Sequence, residues 1–220
     1  MNKKEFAKKI DSTLLRPDAT EAEIRELCRI AREYGFATVA LPSQYMKLAL
    51  ELLEGSGVGF DAASGFPLGI QSTETKVHEA VEAVKLGCTE VDMVMALGKF
   101  KSGKYQEVED EIRAVREAIP DVVLKVIIET HYLTDDEKRK AAELVANAGA
   151  DFVKTSTGFA PTGATVEDIK LLYETVGDRI KVKASGGIRT TEQALALLEA
   201  GASRLGASNA HRLMDGLKEE

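Results

Sequence analysis

The sequence has few cysteines, few aromatic residues and no long apolar run. Its 220 residues include 2 cysteines, and aromatic residues make up 5%. Cys28 and Cys88 lie far apart and form no CxxC pair, so we expect two buried, reduced thiols rather than a disulfide or a metal site. No apolar run approaches the ~20 residues of a membrane-spanning helix. No signal-peptide core follows Met1, so we expect a cytoplasmic protein.

The chain also lacks a basic run. Its 29 basic and 36 acidic side chains give a net charge of −7, which does not suit binding to the nucleic-acid backbone. A small anionic ligand remains compatible, because a local site can be positive on a negative protein. Neither GxGxxG nor GxxxxGK[ST] follows an early strand, which removes the main support for a nucleotide-binding open sheet.

What the sequence does contain is a repeated unit of strand and helix. A short apolar, β-branched run is followed by a polar loop and by a segment of helical period. These runs are 10–14, 36–41, 58–63, 90–95, 123–128, 151–155, 180–184 and 203–206. Strands that alternate with helices pair in parallel. The pattern therefore predicts a single-domain (β/α)8 TIM barrel over residues 1–220, with a doubly wound open sheet as the alternative.

The predicted helices have explicit start and stop signals. Four threonines precede an acidic or amide side chain by three residues, which is the spacing of a capping box. These threonines are Thr20, Thr134, Thr165 and Thr190. Gly149 and Gly201 each follow an apolar stripe and predict a helix end.

Charged side chains stand inside strands that are otherwise apolar. Lys154 ends one strand, while Lys125, Lys183 and Asp92 lie in three others. Burying such groups is costly unless they are paired or functional. A desolvated amine beside a second cation loses its proton more readily, and it can then form a Schiff base while a carboxylate moves protons. Each lysine taken alone also fits a buried ion pair, such as Lys125 with Glu129.

Two glycine-rich loops follow the last two predicted strands. Gly186 and Gly187 follow one strand, and Ser208 and Asn209 follow the next. Backbone N–H groups in such loops, together with polar side chains, form the phosphate site that many barrels carry at this position. The alternative is that these glycines serve only tight turns.

Six motifs occur in a fixed order along nearly the whole chain. They are 11–20 (DSTLLRPDAT), 65–69 (GFPLG), 90–94 (EVDMV), 125–130 (KVIIET), 154–158 (KTSTG) and 183–189 (KASGGIR). Together they resemble the deoxyribose-phosphate aldolase family. The resemblance implies a class I aldolase on a (β/α)8 barrel, with no metal or other cofactor. The family cleaves 2-deoxy-D-ribose 5-phosphate reversibly to D-glyceraldehyde 3-phosphate and acetaldehyde.

The resemblance also implies roles for individual residues. Lys154 matches the Schiff-base lysine, Lys183 the neighbour that lowers its pKa, and Asp92 the acid that relays protons. The residues similar to those that hold the substrate hydroxyls and phosphate are Thr157, Gly158, Gly186, Gly187 and Ser208, to which the loop pattern adds Asn209. The implied partners are a phosphorylated sugar, small aldehydes and, as a homodimer, a second copy of the chain.

Several positions depart from the family pattern. Residues 39–43 (VALPS) stand where the family usually reads Val-Cys-Val-Asn-Pro, and residues 60–64 (FDAAS) where it often reads Val-Cys-Thr-Val-Ile. Ser12 and His131 also replace common residues, and 206–213 (GASNAHRL) departs from a more apolar tail. These departures leave two alternatives open. One is a remodelled or engineered Schiff-base aldolase or carboligase with altered aldehyde scope, and the other is a non-catalytic barrel that binds phosphorylated sugars.

The three histidines share no short spacing. His78 lies on a predicted helix and is expected to be solvated. His131 and His211 follow strands, so a metal site at the barrel mouth is the lesser alternative to two unconnected loop residues.

Overall fold

The computed structural model describes residues 1–217 and contains a closed barrel of eight parallel strands. The strands are β1 (Ile10–Thr13), β2 (Thr38–Ala40), β3 (Gly59–Ser64), β4 (Glu90–Val94), β5 (Val123–Ile127), β6 (Phe152–Lys154), β7 (Lys181–Ser185) and β8 (Arg204–Ala207). Each strand pairs with its neighbour in sequence, and β1 pairs with β8. The predicted barrel is confirmed and the open sheet is excluded. The last part of the predicted domain, 218–220, lies outside the described residues.

Helices connect the strands and cover the outside of the barrel. They are α1 (Lys3–Ala7), α2 (Glu21–Tyr34), α3 (Met46–Leu53), α4 (Thr73–Leu86), α5 (Leu97–Lys101), α6 (Tyr105–Ala118), α7 (Asp135–Asn147), α8 (Val166–Val176), α9 (Thr191–Glu199) and α10 (Ala210–Asp215). Short 3-10 segments at Ser43–Tyr45 and Thr130–Tyr132 follow β2 and β5. Among the helices of residues 1–217, none combines the length and the hydrophobicity of a membrane-spanning segment.

Local side-chain chemistry explains where the helices begin. Thr20, Thr134 and Thr190 form full capping boxes, as predicted. Thr165 accepts a hydrogen bond from the Asp168 N–H, but the Asp168 carboxylate contacts Lys138 Nζ at 2.7 Å instead of closing the box. Each cap stabilises its helix by about 1 kcal/mol.

Several predicted strands begin one or two residues too early. Phe36, for example, precedes β2 although it is fully buried. Its ring stacks on Tyr34 at 5.5 Å between centroids, in the turn that leads from α2 into the strand. Burial at such a turn comes from packing against the helix rather than from strand pairing, so an apolar run overestimates the strand.

Side chains alternate between the outer and inner faces of the strands, and the two faces form buried regions of different composition. Apolar residues that point outward from the barrel pack beneath the helices, including Val91, Val126, Val153 and Val182. Residues at the alternate positions point inward, and many of them are charged. These inward residues are Asp11, Asp61, Glu90, Asp92, Lys125, Lys154, Lys183 and Arg204. Outside this interior, Cys28 and Cys88 are free and buried, which confirms their expected burial.

Candidate active site

Three strands bring the predicted catalytic side chains to one point. Lys154 Nζ lies 2.5 Å from Asp92 Oδ2, and Lys183 Nζ lies 2.8 Å from the same oxygen. Lys154 and Lys183 are also register partners across β6 and β7. The structure therefore places the two amines side by side on a single carboxylate oxygen.

Lys125 belongs to the same cluster and forms buried ion pairs, as the alternative interpretation allowed, but Glu129 is not one of its partners. Its Nζ contacts Asp92 Oδ1 at 2.9 Å, Glu90 Oε2 at 2.7 Å and Asp61 Oδ2 at 3.0 Å. Residues four apart along a strand are separated by about 13 Å, whereas Asp92 stands directly opposite Lys125 in the ladder between β4 and β5. Cross-strand register therefore decides the partner.

Lys183 is surrounded by carboxylates. Besides Asp92, its Nζ contacts Asp11 Oδ2 at 2.6 Å and Asp61 Oδ2 at 2.9 Å. Arg204 continues the network, since its Nη1 lies 2.7 Å from Asp11 Oδ1. Sequence reasoning did not select these partners, although an acid inside a short apolar strand is the same signal that selected Asp92.

The two neighbouring lysines have opposite pKa shifts. Burial lowers the pKa of Lys154; the negative charge of Asp92 opposes this, and the positive charge of Lys183 lowers it further. Burial would also lower the pKa of Lys183, but Asp11, Asp61 and Asp92 together raise it well above its ordinary value. Lys183 therefore stays a cation, while Lys154 loses its proton more easily than an ordinary lysine.

Asp92 remains ionised within this cluster. Burial would raise its pKa, but the charges of Lys125, Lys154 and Lys183 hold the pKa well below its ordinary value. An ionised carboxylate in contact with Lys154 can accept a proton from it or return one.

A cavity of about 410 Å³ opens at the C-terminal ends of the strands. Lys154 lines it together with all six predicted substrate-binding residues, Thr157, Gly158, Gly186, Gly187, Ser208 and Asn209. Asp92 and Lys183 are buried in the barrel interior next to Lys154. Of the three predicted catalytic residues, Lys154 is thus the one with access to a ligand.

The loop after β7 packs closely against the segment that follows β6. Gly186 has φ +87°, and a Cβ added at Gly163 would lie 2.1 Å from the Gly186 carbonyl oxygen. Glycine is therefore required at both positions. The tight-turn interpretation included Gly186, whereas Gly163 was not singled out from the sequence. Gly187 has no atom within 4 Å of its Cβ position, yet it also lines the cavity. Its backbone is thus accessible to a ligand, which the phosphate interpretation requires.

Further cavity residues were not predicted from the sequence. Arg16 and Arg189 line the cavity, and so do Leu15 and Phe159, which are apolar. Arg16 Nη1 is held 2.6 Å from Asp18 Oδ1. Arg16 lies in the motif 11–20 and Arg189 in the motif 183–189, so these positions could have indicated a role at the site.

Glu129 fixes the loop that follows Lys154. Its carboxylate accepts hydrogen bonds from the Thr157 N–H at 3.2 Å and from the Thr157 hydroxyl. The Phe159 N–H donates to Thr157 Oγ1 at 3.1 Å. Because the hydroxyl proton is directed to Glu129, the oxygen of Thr157 presents a lone pair rather than a donor.

None of the three histidines, His78, His131 and His211, is among the residues that line the cavity. His78 is exposed on α4, as predicted. His131 Nδ1 lies 2.9 Å from Thr162 Oγ1, and its ring packs edge-on against Tyr132. Within residues 1–217, the one group of three possible metal ligands is Asp11, Asp61 and Glu90, and it contains no histidine. Each of these three carboxylates forms an ion pair with a lysine or arginine side chain.

Comparisons with known proteins identify the family of this chain. The model of the DeoC/LacD family aldolases matches residues 6–212. The chain is 53% identical over 218 residues to a deoxyribose-phosphate aldolase of Caldanaerobacter subterraneus subsp. tengcongensis, covering 98% of this chain and 94% of that protein.

It is also similar to two solved structures. An aldolase called QR15 has a TM-score of 0.92 at 44% identity, covering 96% of this chain and 94% of that one. The deoxyribose phosphate aldolase of Aeropyrum pernix, described as a unique tetrameric structure, has a TM-score of 0.88 at 35% identity, covering 97% and 91%. This chain therefore belongs to the DeoC/LacD family of aldolases.

Proposed function

We propose that this protein is a class I aldolase that cleaves 2-deoxy-D-ribose 5-phosphate to D-glyceraldehyde 3-phosphate and acetaldehyde, and that it catalyses the reverse addition. The observation that carries the proposal is the pair of amines on Asp92 Oδ2, with Lys154 opening onto the cavity. This arrangement favours one neutral, accessible amine beside a permanent cation, which is what Schiff-base chemistry requires.

The first step is imine formation. Lys154 loses a proton to Asp92, which lies 2.5 Å away, and its nitrogen adds to the aldehyde carbon C1 of the open-chain sugar. The resulting carbinolamine takes up a proton and loses water, which leaves a protonated imine. Asp92 supplies that proton directly or through a bound water.

The second step breaks the bond between C2 and C3. A base, again Asp92 or a water held by it, removes the proton from the C3 hydroxyl, and C3 becomes the aldehyde carbon of glyceraldehyde 3-phosphate. The electron pair of the broken bond moves into the imine and forms an enamine. Protonation at C2 and hydrolysis then release acetaldehyde and restore the Lys154 amine.

The loops after β6, β7 and β8 are proposed to hold the rest of the substrate. Gly186, Gly187, Ser208 and Asn209 line the part of the cavity wall that is built after the last two strands. We assign the phosphate to these four residues because backbone N–H groups and small polar side chains are suited to its oxygens. Thr157 and Gly158, which follow Lys154, are assigned to the substrate hydroxyls.

We also propose that the reaction needs no metal or other cofactor, because the protonated imine itself accepts the electron pair. Activity should then survive prolonged treatment with EDTA, and loss of activity on chelation would contradict this part of the proposal. We place the enzyme in the cytoplasm, which suits its two free, buried thiols.

We propose a homodimer as the assembly. The tetrameric description of the Aeropyrum pernix relative supports self-association within the family. Light scattering at micromolar concentrations tests this point directly. A monomer or a tetramer would replace the dimer without affecting the chemistry at Lys154.

Reductive trapping tests the proposed reaction. The protein is incubated with acetaldehyde and borohydride and is then analysed by peptide mass spectrometry. We expect an ethyl adduct on Lys154. Absence of the adduct, with binding of phosphorylated sugar intact, would favour a non-catalytic binding barrel.

Turnover of the phosphorylated sugar and of unphosphorylated 2-deoxyribose tests the substrate. We expect a clear preference for the phosphorylated sugar, because the assigned loops then contribute binding energy. Equal rates, with the Lys154 adduct present, would favour a remodelled aldolase with altered aldehyde scope.

A further inference from the structure

Asp61 is a buried carboxylate that the proposed reaction leaves unused. It lies on β3, in the run that departs from the family pattern, and it is 1% exposed. Its Oδ2 bridges two lysines, at 2.9 Å from Lys183 Nζ and 3.0 Å from Lys125 Nζ. Within the described residues, its other oxygen, Oδ1, is buried without a hydrogen-bond partner.

The charges of the interior cluster do not balance when Lys154 is neutral. The acidic members are Asp11, Asp61, Glu90 and Asp92, and the basic members are Lys125, Lys154, Lys183 and Arg204. With every group ionised, the negative and positive charges are equal in number. Loss of the Lys154 proton to solvent would leave one excess negative charge in a buried region, which is unfavourable. Retention of that proton on one carboxylate would restore the balance.

Asp61 is the carboxylate best suited to hold that proton. Asp92 contacts three lysines, and their positive charges lower its pKa by more than burial raises it. Asp11 accepts hydrogen bonds from Thr38 and Arg204 in addition to its contact with Lys183. Asp11 Oδ2 also lacks a hydrogen-bond partner, but it lies 2.6 Å from Lys183 Nζ. Among the described residues, Asp61 Oδ1 has neither a hydrogen bond nor an ion pair, and both lysines on Asp61 Oδ2 are shared with other acids.

The pKa values of the acids agree with this assignment. Burial and the negative charge of Asp92 raise the pKa of Asp61 to about 6, although Lys125 and Lys183 oppose the shift. The pKa values of Asp11 and Asp92 are lowered instead. Cys88, another titratable group near Asp61, stays a thiol because burial and the Asp61 charge raise its pKa to about 12.

We infer that Asp61 is a positioning residue that carries the cluster's extra proton when Lys154 is uncharged, and so controls how much Lys154 is available to form the imine. The inference rests on the proposed role of Lys154. Hydrogen bonds connect the two groups. Lys154 donates to Asp92 Oδ2 at 2.5 Å, and Lys183 donates to that oxygen at 2.8 Å and to Asp61 Oδ2 at 2.9 Å.

The transfer along this path moves a single proton and no electrons. Lys183 passes a proton to Asp61 and receives one from Asp92, which has taken it from Lys154. At the end, Lys154 is an amine, Asp61 is a carboxylic acid, and Lys183 and Asp92 are unchanged.

Substitution of Asp61 by Asn tests the inference in the full chain. Asparagine cannot hold the extra proton that the inference assigns to Asp61. The yield of the acetaldehyde adduct on Lys154 is measured against pH with cyanoborohydride. In the wild type the yield should level off above about pH 6, because transfer of the proton from Lys154 to Asp61 does not depend on pH. In Asp61→Asn, Lys154 must lose its proton to solvent, so we expect the acid limb to extend to higher pH by about one unit or more. An unshifted limb would overturn the inference.

Matched variants separate this effect from a structural one. Glu111→Gln alters a buried carboxylate outside the cluster, which pairs with Lys76 at 2.7 Å, and it should leave the limb where it is in the wild type. If Asp61→Asn does not fold, Asp61→Cys, with the residue that the family often has in this run, should give the same shift. Absence of any wild-type adduct would instead refute the proposed function.

Infrared spectroscopy tests whether Asp61 is the acid of the cluster that takes up a proton most readily. As the pH is lowered through about 6, wild-type protein should gain the carbonyl band of a buried carboxylic acid, and Asp61→Asn should lack it. A wild-type band that persists in Asp61→Asn would assign the proton to another acid and overturn the inference.

Discussion

Two of the buried lysine–carboxylate pairs, one outside the barrel and one inside it, differ in access and in the charges around them. On the outer side of the barrel, Lys76 Nζ lies 2.7 Å from Glu111 and 2.9 Å from the Val94 carbonyl oxygen, and Lys76 is 0% exposed. Inside, Lys154 Nζ lies 2.5 Å from Asp92 and lines the cavity. Burial lowers the pKa of both lysines. A lowered pKa therefore does not by itself identify a nucleophile.

The difference lies in what else contacts the carboxylate. Glu111 also accepts a hydrogen bond from the Ala96 N–H at 3.1 Å, so the Lys76 pair joins α4 and α6 to the end of β4. Asp92 instead contacts three lysines. The Lys76–Glu111 pair therefore holds the structure together. The three amines that share the Asp92 carboxylate can instead exchange a proton.

Removal of the inner lysine should have the largest effect. Lys154→Ala removes the nitrogen that forms the imine, so we expect no borohydride adduct and a loss of turnover of at least about 10³-fold. Circular dichroism checks that the variant is folded. An ethyl adduct on another lysine, with turnover preserved, would refute the contrast between the two pairs.

Removal of the outer lysine should affect stability instead of chemistry. Lys76→Met leaves Glu111 buried and unpaired, so we expect the free energy of unfolding to fall by about 3–5 kcal/mol in urea titration. The folded fraction should still form the Lys154 adduct. Adding Glu111→Gln should recover part of the loss, and an unchanged urea midpoint in the single variant would contradict the structural role.

Loss of the neighbouring cation should give an intermediate effect. Lys183 lowers the pKa of Lys154, so in Lys183→Leu that pKa should rise and the amine should become neutral only at higher pH. We expect a pH optimum displaced upward by about one unit or more, with some activity retained. A pH profile identical to that of the wild type would remove Lys183 from its assigned role.

The smallest effect is expected at Glu129. Glu129→Gln weakens a charged hydrogen bond to Thr157 and should cost about 1 kcal/mol of substrate binding, seen as a several-fold rise in KM. Trapping with acetaldehyde, which has no hydroxyl to bind, should not change. A fall in adduct yield would mean that Glu129 acts on Lys154 rather than on the loop.

The sequence predicted the barrel because each apolar strand and each capped helix is a local feature. The capping boxes at Thr20, Thr134 and Thr190 and all eight strands appear in the structure. Strand starts were less accurate, since Phe36 is buried by its turn rather than by pairing. A residue buried by packing in a turn and a residue buried in a paired strand are both apolar, so the sequence pattern does not distinguish them.

The site was predicted less completely than the fold. Lys154, Lys183 and Asp92 stood out because each interrupts an apolar strand. The partner of Lys125 could not be predicted in this way. It depends on the register between β4 and β5, which cannot be read from either strand alone. Asp61 carries the same local signal as Asp92, but its bridge between two lysines follows only from closure of the barrel.

The division of labour between strands and loops has a practical consequence. Lys154, Lys183 and Asp92 are held by ladder hydrogen bonds, whereas most of the cavity wall belongs to the connections that follow the strands. Mutant libraries confined to those connections can therefore explore new aldehydes while the reactive amine keeps its environment. Changes at Asp61, deep in the sheet, would instead tune the acidity range in which every such variant works.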